Sequence, residues 1–331
     1  MKRFQNISSH LICPTCKDKL SFNDEKLSFQ CSDNHTWEVS YDIPRFINSK
    51  ENYTTAFGLQ WKKYRKTQLD SYTNTRISRK RLMGAIGDID NVIIQKKQIN
   101  VLEVGCGAGR FTEILLSFKN INLISMDFSN AVEANLDNHK GHERHTIIQC
   151  DINNSPFKTG YFDLVICLGV VQHTLKPETT IKNMYNLVKP GGRLIFDHYA
   201  HTFSYYTKLG TICLRPILKR MNADLALKIT DKIVNLLFPI HKAVKNIYFL
   251  QIILSRISPV RVYFSMFPEL NDELQYEWAL LDTHDGLTDY YKHFRTQSQL
   301  TNTLISLGAK NIIVNKGGNG IECRCQKPKN L

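Results

Sequence analysis

The chain has 331 residues and 42% of them are hydrophobic, which is enough for a substantial core with appendages. The 43 Lys and Arg against 30 Asp and Glu give a formal net charge of +13, which permits anionic partners such as RNA, acidic lipid or a phosphorylated substrate without choosing among them. Residues 1–9 are polar, and no run approaches the ~18 apolar residues of a membrane span. We therefore expect a cytoplasmic protein without a transmembrane segment.

The first 48 residues contain a metal-ligand spacing. Cys13 and Cys16 form a Cys-x2-Cys pair, and after fourteen intervening residues Cys31 and His35 form a Cys-x3-His pair. These are the spacings of tetrahedral zinc sites, and a structural zinc would let so short a segment fold. The alternative is a set of scattered thiols without a metal. We predict a zinc ribbon over residues 1–48, with about one structural Zn²⁺ per chain.

A connecting segment follows over residues 49–97, polar, aromatic and mostly helical in pattern. Trp61 and Tyr64 within it could cap an acceptor pocket. They could equally form a hydrophobic seam between the ribbon and the core, and we favour the seam.

Apolar runs alternate with helical stretches from residue 98 to about 200, a pattern typical of parallel βαβ units. Two more strands near the end are joined by a short glycine-rich turn, which predicts an antiparallel hairpin. The sequence therefore predicts an α/β, Rossmann-like sheet of seven strands. The predicted strands are Asn100–Val104, Leu123–Asp127, Thr146–Cys150, Phe162–Leu168, Arg193–His198, Asn311–Asn315 and Ile321–Cys325.

The first core strand runs into a Gly-x-Gly-x-Gly loop that begins at Gly105. Glycines let the backbone approach a ligand where a Cβ atom would clash. The dinucleotide-binding fingerprint requires Gly or Ala where this chain has Arg110. Glu103, two residues before the loop, suits a ligand that carries an amino group.

Acidic residues also follow the next two strands. Asp127 ends the second strand and can accept hydrogen bonds from two ribose hydroxyls. Asp151 follows the third strand and can accept from an adenine amino group. A single Asp in such a place is often a helix cap. Three acids at the carboxyl ends of successive strands favour one ligand crevice.

With these residues in place, residues 101–196 resemble the class I S-adenosylmethionine (SAM)-dependent methyltransferases, in particular the group that methylates small molecules such as quinone precursors. The resemblance covers about a third of the chain. It implies a class I methyltransferase sheet with SAM as the cofactor. The motifs that carry it are VLEVGCGAGRF from residue 101, DFS from 127, SPF from 155, YFDLV from 161, GVVQHT from 169 and LVKPGGRL from 187.

The resemblance also implies roles for individual residues around the cofactor. The methionine end would lie at Glu103, Gly105 and Gly107, and the ribose at Asp127. The adenine would lie at Asp151 and Ile152. Leu168 and the adjacent Gly169 would line the cofactor next to the reacting methyl group.

His173 is the first candidate for a general base, because it follows the fourth strand at the tip that faces the crevice. The alternative is a structural histidine that bonds to loop backbone. Tyr291 and His293 are further catalytic candidates, since their segment resembles a late segment of relatives from polysaccharide clusters. The prolines that flank that segment in the relatives are missing here.

A helical lid insertion is predicted at about residues 201–280 of a SAM-binding domain over residues 98–331. Residues 205–265 hold ten basic and two acidic residues. This insertion could be a lid with a solvated basic outer face. It could also contact an anionic lipid carrier or surface, which would make the protein peripheral to a membrane, or RNA phosphates.

Three functions remain open at this point. The first is methyl transfer to a small-molecule, sugar or lipid-linked acceptor. The second is methylation of an rRNA or tRNA base, because the ribbon also resembles one found on ribosomal RNA guanine methyltransferases. The third is a non-catalytic SAM-binding scaffold. The sequence leaves the acceptor and the oligomeric state unassigned.

Overall fold

The computed structural model describes residue 4 and residues 7–48, 53–87 and 98–329. Eleven strands lie in these ranges: β1 (Ser21–Asn23), β2 (Ser28–Gln30), β3 (Thr36–Ser40), β4 (Ile43–Phe46), β5 (Ile99–Val104), β6 (Ile121–Asp127), β7 (His145–Cys150), β8 (Phe162–Cys167), β9 (Val188–His198), β10 (Lys310–Gly317) and β11 (Gly320–Gln326). Parts of the predicted ribbon and connecting segment, at residues 1–3, 5–6, 49–52 and 88–97, lie outside the described residues.

The helices connect and cover these strands. They are α1 (Thr55–Lys63), α2 (Asp70–Thr73), α3 (Ile77–Ile86), α4 (Thr112–Leu116), α5 (Ala131–His139), α6 (Pro177–Leu187), α7 (Leu209–Leu218), α8 (Ala223–Ala243), α9 (Tyr248–Ile257), α10 (Asp272–Thr288) and α11 (Gln297–Ser306). Among the helices of the described ranges, none combines the length and hydrophobicity needed to cross a bilayer.

The core sheet runs in the order β7-β6-β5-β8-β9-β11-β10. Its first five strands are parallel, and β11 is antiparallel to both β9 and β10. The parallel strands are buried on both faces, which explains their continuous apolar runs. The predicted seven-stranded class I methyltransferase sheet, including its terminal hairpin, is confirmed.

The N-terminal ribbon extends this sheet. Strand β4 pairs in parallel with β7 through Arg45 with Gln149 and Phe46 with Cys150. Apolar ribbon side chains such as Phe29 belong to the same buried cluster as the core of the sheet. The ribbon is therefore joined to the core domain by main-chain pairing and by a shared hydrophobic core.

Helices α7 to α10 form an insertion between β9 and α11. Leu227 and Val234 of α8 pack against Ala279 and Leu281 of α10 in one apolar cluster. Helix α9 has no buried residue. The outer side of the insertion therefore carries many exposed apolar residues as well as basic ones: Leu209, Ile212, Ile217, Leu225, Leu236, Ile240, Ile247, Tyr248, Phe249, Leu250, Ile252, Ile253 and Ile257.

Candidate active site

The carboxyl ends of β5, β6, β7 and β8 open into a cavity of about 980 Å³. This is the edge at which open parallel sheets bind ligands. Helices α1 and α3 and the insertion supply the other walls. Of the predicted cofactor residues, the cavity is lined by Gly105, Gly107, Asp127, Asp151, Ile152 and Leu168.

The glycine loop after β5 forms the floor of this cavity. Gly105 has a φ of +71°, and a Cβ atom there would lie 2.1 Å from a methyl carbon of Val170. A Cβ atom on Gly107 would lie 3.2 Å from the Trp61 ring, which covers the loop. Trp61 therefore forms part of the cavity wall, and the ribbon–core seam that we favoured for it is wrong.

Asp127 at the end of β6 shapes the loop. Its Oδ2 atom accepts from the N–H of Gly107 at 2.9 Å, and its Oδ1 atom accepts from the N–H of Ser129 at 2.8 Å and from the Ser129 hydroxyl at 2.7 Å. Burial raises the pKa of Asp127, and these donors oppose the rise. The carboxylate retains acceptor capacity toward the cavity.

Asp151 follows β7 and begins the short 3-10 helix Ile152–Asn154. Its Oδ1 atom accepts from the N–H of Asn153 at 2.8 Å, so it caps this helix while lining the cavity. Burial raises its pKa. Tyr53 lies nearby, with its ring edge-on to Phe128 at 5.7 Å. The cavity residue Tyr53 lies in a polar segment whose sequence gave no sign of this role.

Glu103 lies behind the glycine loop and does not line the cavity. Its Oε2 atom accepts from the hydroxyls of Thr112 at 2.5 Å and Ser125 at 2.7 Å. Its Oε1 atom is buried and has no hydrogen-bond partner in the described part of the chain. Burial raises the pKa of Glu103 to about 7.

His173 lies in the cavity wall, on the 3-10 turn after β8. Its Nδ1 atom lies 3.1 Å from the backbone carbonyl oxygen of Tyr291. A carbonyl oxygen can only accept, so Nδ1 carries the proton and Nε2 has the free lone pair. The loop-backbone bond expected of a structural histidine is therefore present, and it leaves the other ring nitrogen in the form that a general base requires.

A buried charge cluster supports the imidazole. The Oδ2 atom of Asp289 lies 3.4 Å from Nδ1 of His173 and 2.7 Å from the ammonium of Lys292. Its Oδ1 atom accepts from Nε of Arg215 at 2.6 Å. Asp289 is fully buried. In the sequence, the only indication of its role was that an acidic residue stands four positions before His293. A carboxylate beside Nδ1 helps to orient a histidine ring.

The other two catalytic candidates lie beside His173 but outside the cavity lining. Tyr291 contributes its backbone carbonyl, and its ring lies edge-on to Tyr53 at 5.1 Å. The N–H of His293 donates to the backbone oxygen of Gln172 at 2.9 Å. Burial lowers the pKa of His293. The structure brings all three candidates together and presents only the His173 side chain to the cavity.

Arg81 and Asp197 form a further polar element at the cavity that the sequence did not indicate. Nη2 of Arg81 donates to Oδ2 of Asp197 at 2.7 Å, and Oδ1 of Asp197 accepts from the N–H of Gly169 at 2.6 Å. Gly169 and Arg81 line the cavity beside Leu168. The pair fixes the loop after β8 next to the glycine loop.

The four predicted metal ligands meet in the ribbon. The Sγ atoms of Cys13, Cys16 and Cys31 and a ring nitrogen of His35 all lie within 4.8 Å of one another. The Sγ atoms of Cys16 and Cys31 are 3.5 Å apart, and Nδ1 of His35 is 3.3 Å from the Cys31 sulfur. Tetrahedral zinc with Zn–S bonds of about 2.3 Å requires separations of this order. The cluster can hold a metal ion of that size.

Comparison with known proteins agrees with this geometry. Residues 102–196 match the family described as methyltransferase domain. Over 115 residues the chain is 33% identical to the ubiquinone biosynthesis O-methyltransferase of Coxiella burnetii, covering 34% of this chain and 49% of that protein. Over 106 residues it is 29% identical to the malonyl-[acyl-carrier protein] O-methyltransferase of Priestia megaterium, covering 32% and 38%. The chain thus spans about half the length, or less, of these curated relatives.

Among solved structures, human N-acetylserotonin methyltransferase in complex with SAM is 14% identical, with a TM-score of 0.46 over 82% of this chain and 56% of that one. The family match covers the glycine loop, both acidic strand ends and the His173 turn. Residues 102–196 are therefore similar to a methyltransferase domain.

Proposed function

We propose that the protein is an enzyme that transfers a methyl group from SAM to a small-molecule, sugar or lipid-linked acceptor. The observation that carries this proposal is one cavity that combines the glycine loop, Asp127 and Asp151 with His173, whose free ring nitrogen belongs to a cavity-lining side chain. An imidazole held as a base is not needed for cofactor binding alone. This argues against the non-catalytic scaffold.

The residues of the cavity suit SAM along its whole length. We assign the methionine carboxylate to the backbone at Gly105 and Gly107 and its ammonium to the free oxygen of Glu103. We assign the ribose to Asp127. We assign the adenine to Asp151 and Ile152, and we place Leu168 beside the methyl group.

For this reaction the protein needs to align the acceptor with the methyl group and to remove the proton of the acceptor. SAM supplies a methyl group on a sulfonium centre, which leaves as a neutral sulfide when the acceptor atom attacks in line. Holding the acceptor in that line can contribute about 7–11 kcal/mol. Nε2 of His173 takes the proton of an acceptor hydroxyl or amine as the new bond to carbon forms. Asp289, whose Oδ2 atom lies 3.4 Å from Nδ1, keeps the ring oriented for this transfer.

The outer face of the insertion favours a lipid-linked acceptor among the three classes. Helix α9 exposes Phe249, Ile252 and Ile253, and the fractional exposure of Phe249 is 69%. Exposed apolar helices within a strongly basic segment are typical of peripheral contact with an anionic membrane surface. RNA remains the alternative partner. The exposed apolar side chains offer nothing to a phosphate backbone, so they weigh against it.

The ribbon cluster suits a structural Zn²⁺, because four protein ligands leave no open position for chemistry. We propose residues 1–48 as the zinc ribbon, 49–97 as the connecting segment and 98–331 as the SAM-binding domain with its lid at about 201–280. All nine cysteines are free, and six of them outside the cluster are thiols of the domain. Free thiols with a thiolate metal site suit a reducing compartment, so we propose the cytoplasm.

The test uses methyl-labelled SAM, the purified full-length protein and a cell extract. The products are separated into RNA, lipid and soluble small-molecule pools. Label in the lipid or small-molecule pool supports the proposal, and nuclease-sensitive label would replace it with RNA methylation. SAM binding without label in any pool would favour the scaffold.

A further inference from the structure

A second cavity of about 410 Å³ adjoins the first. It lies between the start of α7, the end of α9 and the chain segment at residues 258–263. Tyr199, Arg261 and Tyr263 line both cavities. The smaller cavity, which we call the side chamber, therefore shares a wall with the larger one.

The charged residues that line the side chamber are all basic. They are Lys208, Arg261 and Lys292, and no Asp or Glu is among the lining residues within the described ranges. Lys292 is already paired with Asp289, at 2.7 Å. The ammonium of Lys208 and the guanidinium of Arg261 have neither an ion-pair partner within 4.0 Å nor a hydrogen-bond partner among the residues that the structure describes.

These two cations are also close to each other. Burial lowers the pKa of Lys208, and the neighbouring charges of Arg261 and Arg256 lower it further. The nearest acids to Arg261, Asp282 and Asp285, line the larger cavity and lie beyond ion-pair distance. The buried charge of Lys208 is therefore unfavourable without a contacting anion, and an anionic ligand between Lys208 and Arg261 would relieve that cost.

We propose that the side chamber binds a phosphate or diphosphate group of the acceptor, with Lys208 and Arg261 as the residues that contact it. This inference rests on the proposed function and narrows its substrate class. Two positive charges without an ion-pair partner within 4.0 Å match a dianion, whereas a single carboxylate would leave one of them without a contacting anion. The hydroxyl-bearing side chains of Tyr205 and Thr211 also line the chamber.

The position of the side chamber relates the proposed phosphate site to the proposed base, His173. The ring of Tyr199 lies edge-on to His173, with centroids 5.3 Å apart, and the same residue lines the side chamber. One aromatic side chain therefore separates the imidazole from the phosphate site. A substrate whose phosphate lies at Lys208 and Arg261 would present a nearby hydroxyl or amine to His173.

The test measures equilibrium binding to the full-length protein by calorimetry. The probes are inorganic pyrophosphate and n-octyl phosphate, and SAM is titrated in parallel. The variants are Lys208→Met and Arg261→Met, with Lys208→Arg to restore the charge. Lys228→Met removes a charge from an exposed position of α8 and serves as the matched control.

We expect each Met variant to weaken binding of both probes about ten- to a hundredfold, the effect of losing a hydrogen bond to a charged group. Lys208→Arg and Lys228→Met should stay near the parent protein. Tighter binding of octyl phosphate than of pyrophosphate identifies the source as a lipid phosphate, and the reverse identifies a soluble phosphate ester. Absence of probe binding, or binding that the Met variants leave unchanged, overturns the inference. SAM binding in the same samples is independent of this result, and its absence would instead refute the proposed function.

Discussion

The carboxylate of Asp127 accepts a hydrogen bond from the backbone N–H of Gly107 at 2.9 Å. This bond joins the end of β6 to the loop after β5. The same carboxylate then keeps acceptor capacity on Oδ2 for a ribose hydroxyl. Asp127 thus clamps the glycine loop, and we propose it as a contact for the cofactor.

Replacing Asp127 with Asn should weaken SAM binding about ten- to a hundredfold, because hydrogen bonds to a charged acceptor are lost. Calorimetric titration of SAM measures the change. Asp137→Asn is the matched control, since Asp137 is an exposed carboxylate in an ion pair with Arg65. Equal SAM affinity in the two variants would remove Asp127 from the cofactor site.

Replacing His173 with Gln should lower the rate of methyl transfer about 10²–10⁴-fold, the usual contribution of a general base. SAM affinity should not change, because His173 is assigned to the acceptor. Transfer of label from SAM in single-turnover reactions measures the rate. His293→Gln is the informative comparison, because His293 does not line the cavity and should have a much smaller effect. A larger loss in the His293 variant would reverse the two assignments.

Glu103 predicts a pH dependence of SAM binding. Burial raises its pKa from 4.5 to about 7, so the carboxyl is largely protonated in the folded protein below that pH. The SAM ammonium favours the ionised form, and affinity should therefore increase as pH rises through about 7. The same shift has the opposite effect on folding. Its stabilising contribution is fully present below 4.5 and is lost as pH rises through about 7.

Glu103→Gln tests this directly. Its amide oxygen can still accept from Thr112 and Ser125, and its amide nitrogen replaces the free carboxylate oxygen. SAM affinity should fall and lose its dependence on pH between 5 and 8, while the free energy of unfolding at pH 8 increases. A variant whose SAM affinity keeps the pH dependence of the parent would show that another group titrates.

The ribbon should contain about one zinc per chain by elemental analysis, and Cys31→Ser should remove most of it. Structural zinc contributes about 10–16 kcal/mol to the folding of small zinc domains, so the variant should also melt at a lower temperature. Cys213→Ser changes an exposed thiol outside the cluster and should leave both quantities unchanged. A metal-free parent protein with an unaltered melting temperature would contradict the zinc assignment.

The proposed membrane contact of the insertion leads us to expect that the protein co-sediments with anionic vesicles. Phe249→Ser together with Ile253→Ser should reduce the bound fraction, because both side chains are exposed on α9. Ile305→Ser changes an exposed apolar residue on α11, outside the insertion, and should not affect binding. Equal losses of the vesicle-bound fraction in the α9 double variant and in Ile305→Ser would indicate non-specific adsorption.

The core fold could be predicted from the sequence because its strands are buried on both faces and give unbroken apolar runs. Strand β9 shows where prediction of a strand boundary from the sequence fails. It begins at Val188, five residues before the predicted start at Arg193, because Pro190, Gly191 and Gly192 indicate a turn by composition. A Cβ atom at Gly192 would lie 2.8 Å from the backbone oxygen of Asp163, so close packing against β8 requires glycine there.

The site was predictable where residues follow strands, since strand order then determines which side chains meet. The positions of Asp127, Asp151 and His173 at the cavity were predicted this way. Tyr53, Arg81 and Arg261 reach the cavity from helical or irregular segments whose packing no local pattern encodes. Asp289 was missed for a related reason, because its role depends on contacts with Arg215 on α7 and His173 after β8.

The two residue pairs that join β4 to β7 give the ribbon a protective role. An outermost parallel strand presents unpaired N–H and C=O groups, and such a border readily recruits strands of other molecules. Through Arg45 and Phe46 the ribbon occupies part of that border at Gln149 and Cys150. Unfolding of the ribbon would expose the edge of β7. Self-association of the protein would then be the first measurable effect of damage to the cysteine cluster.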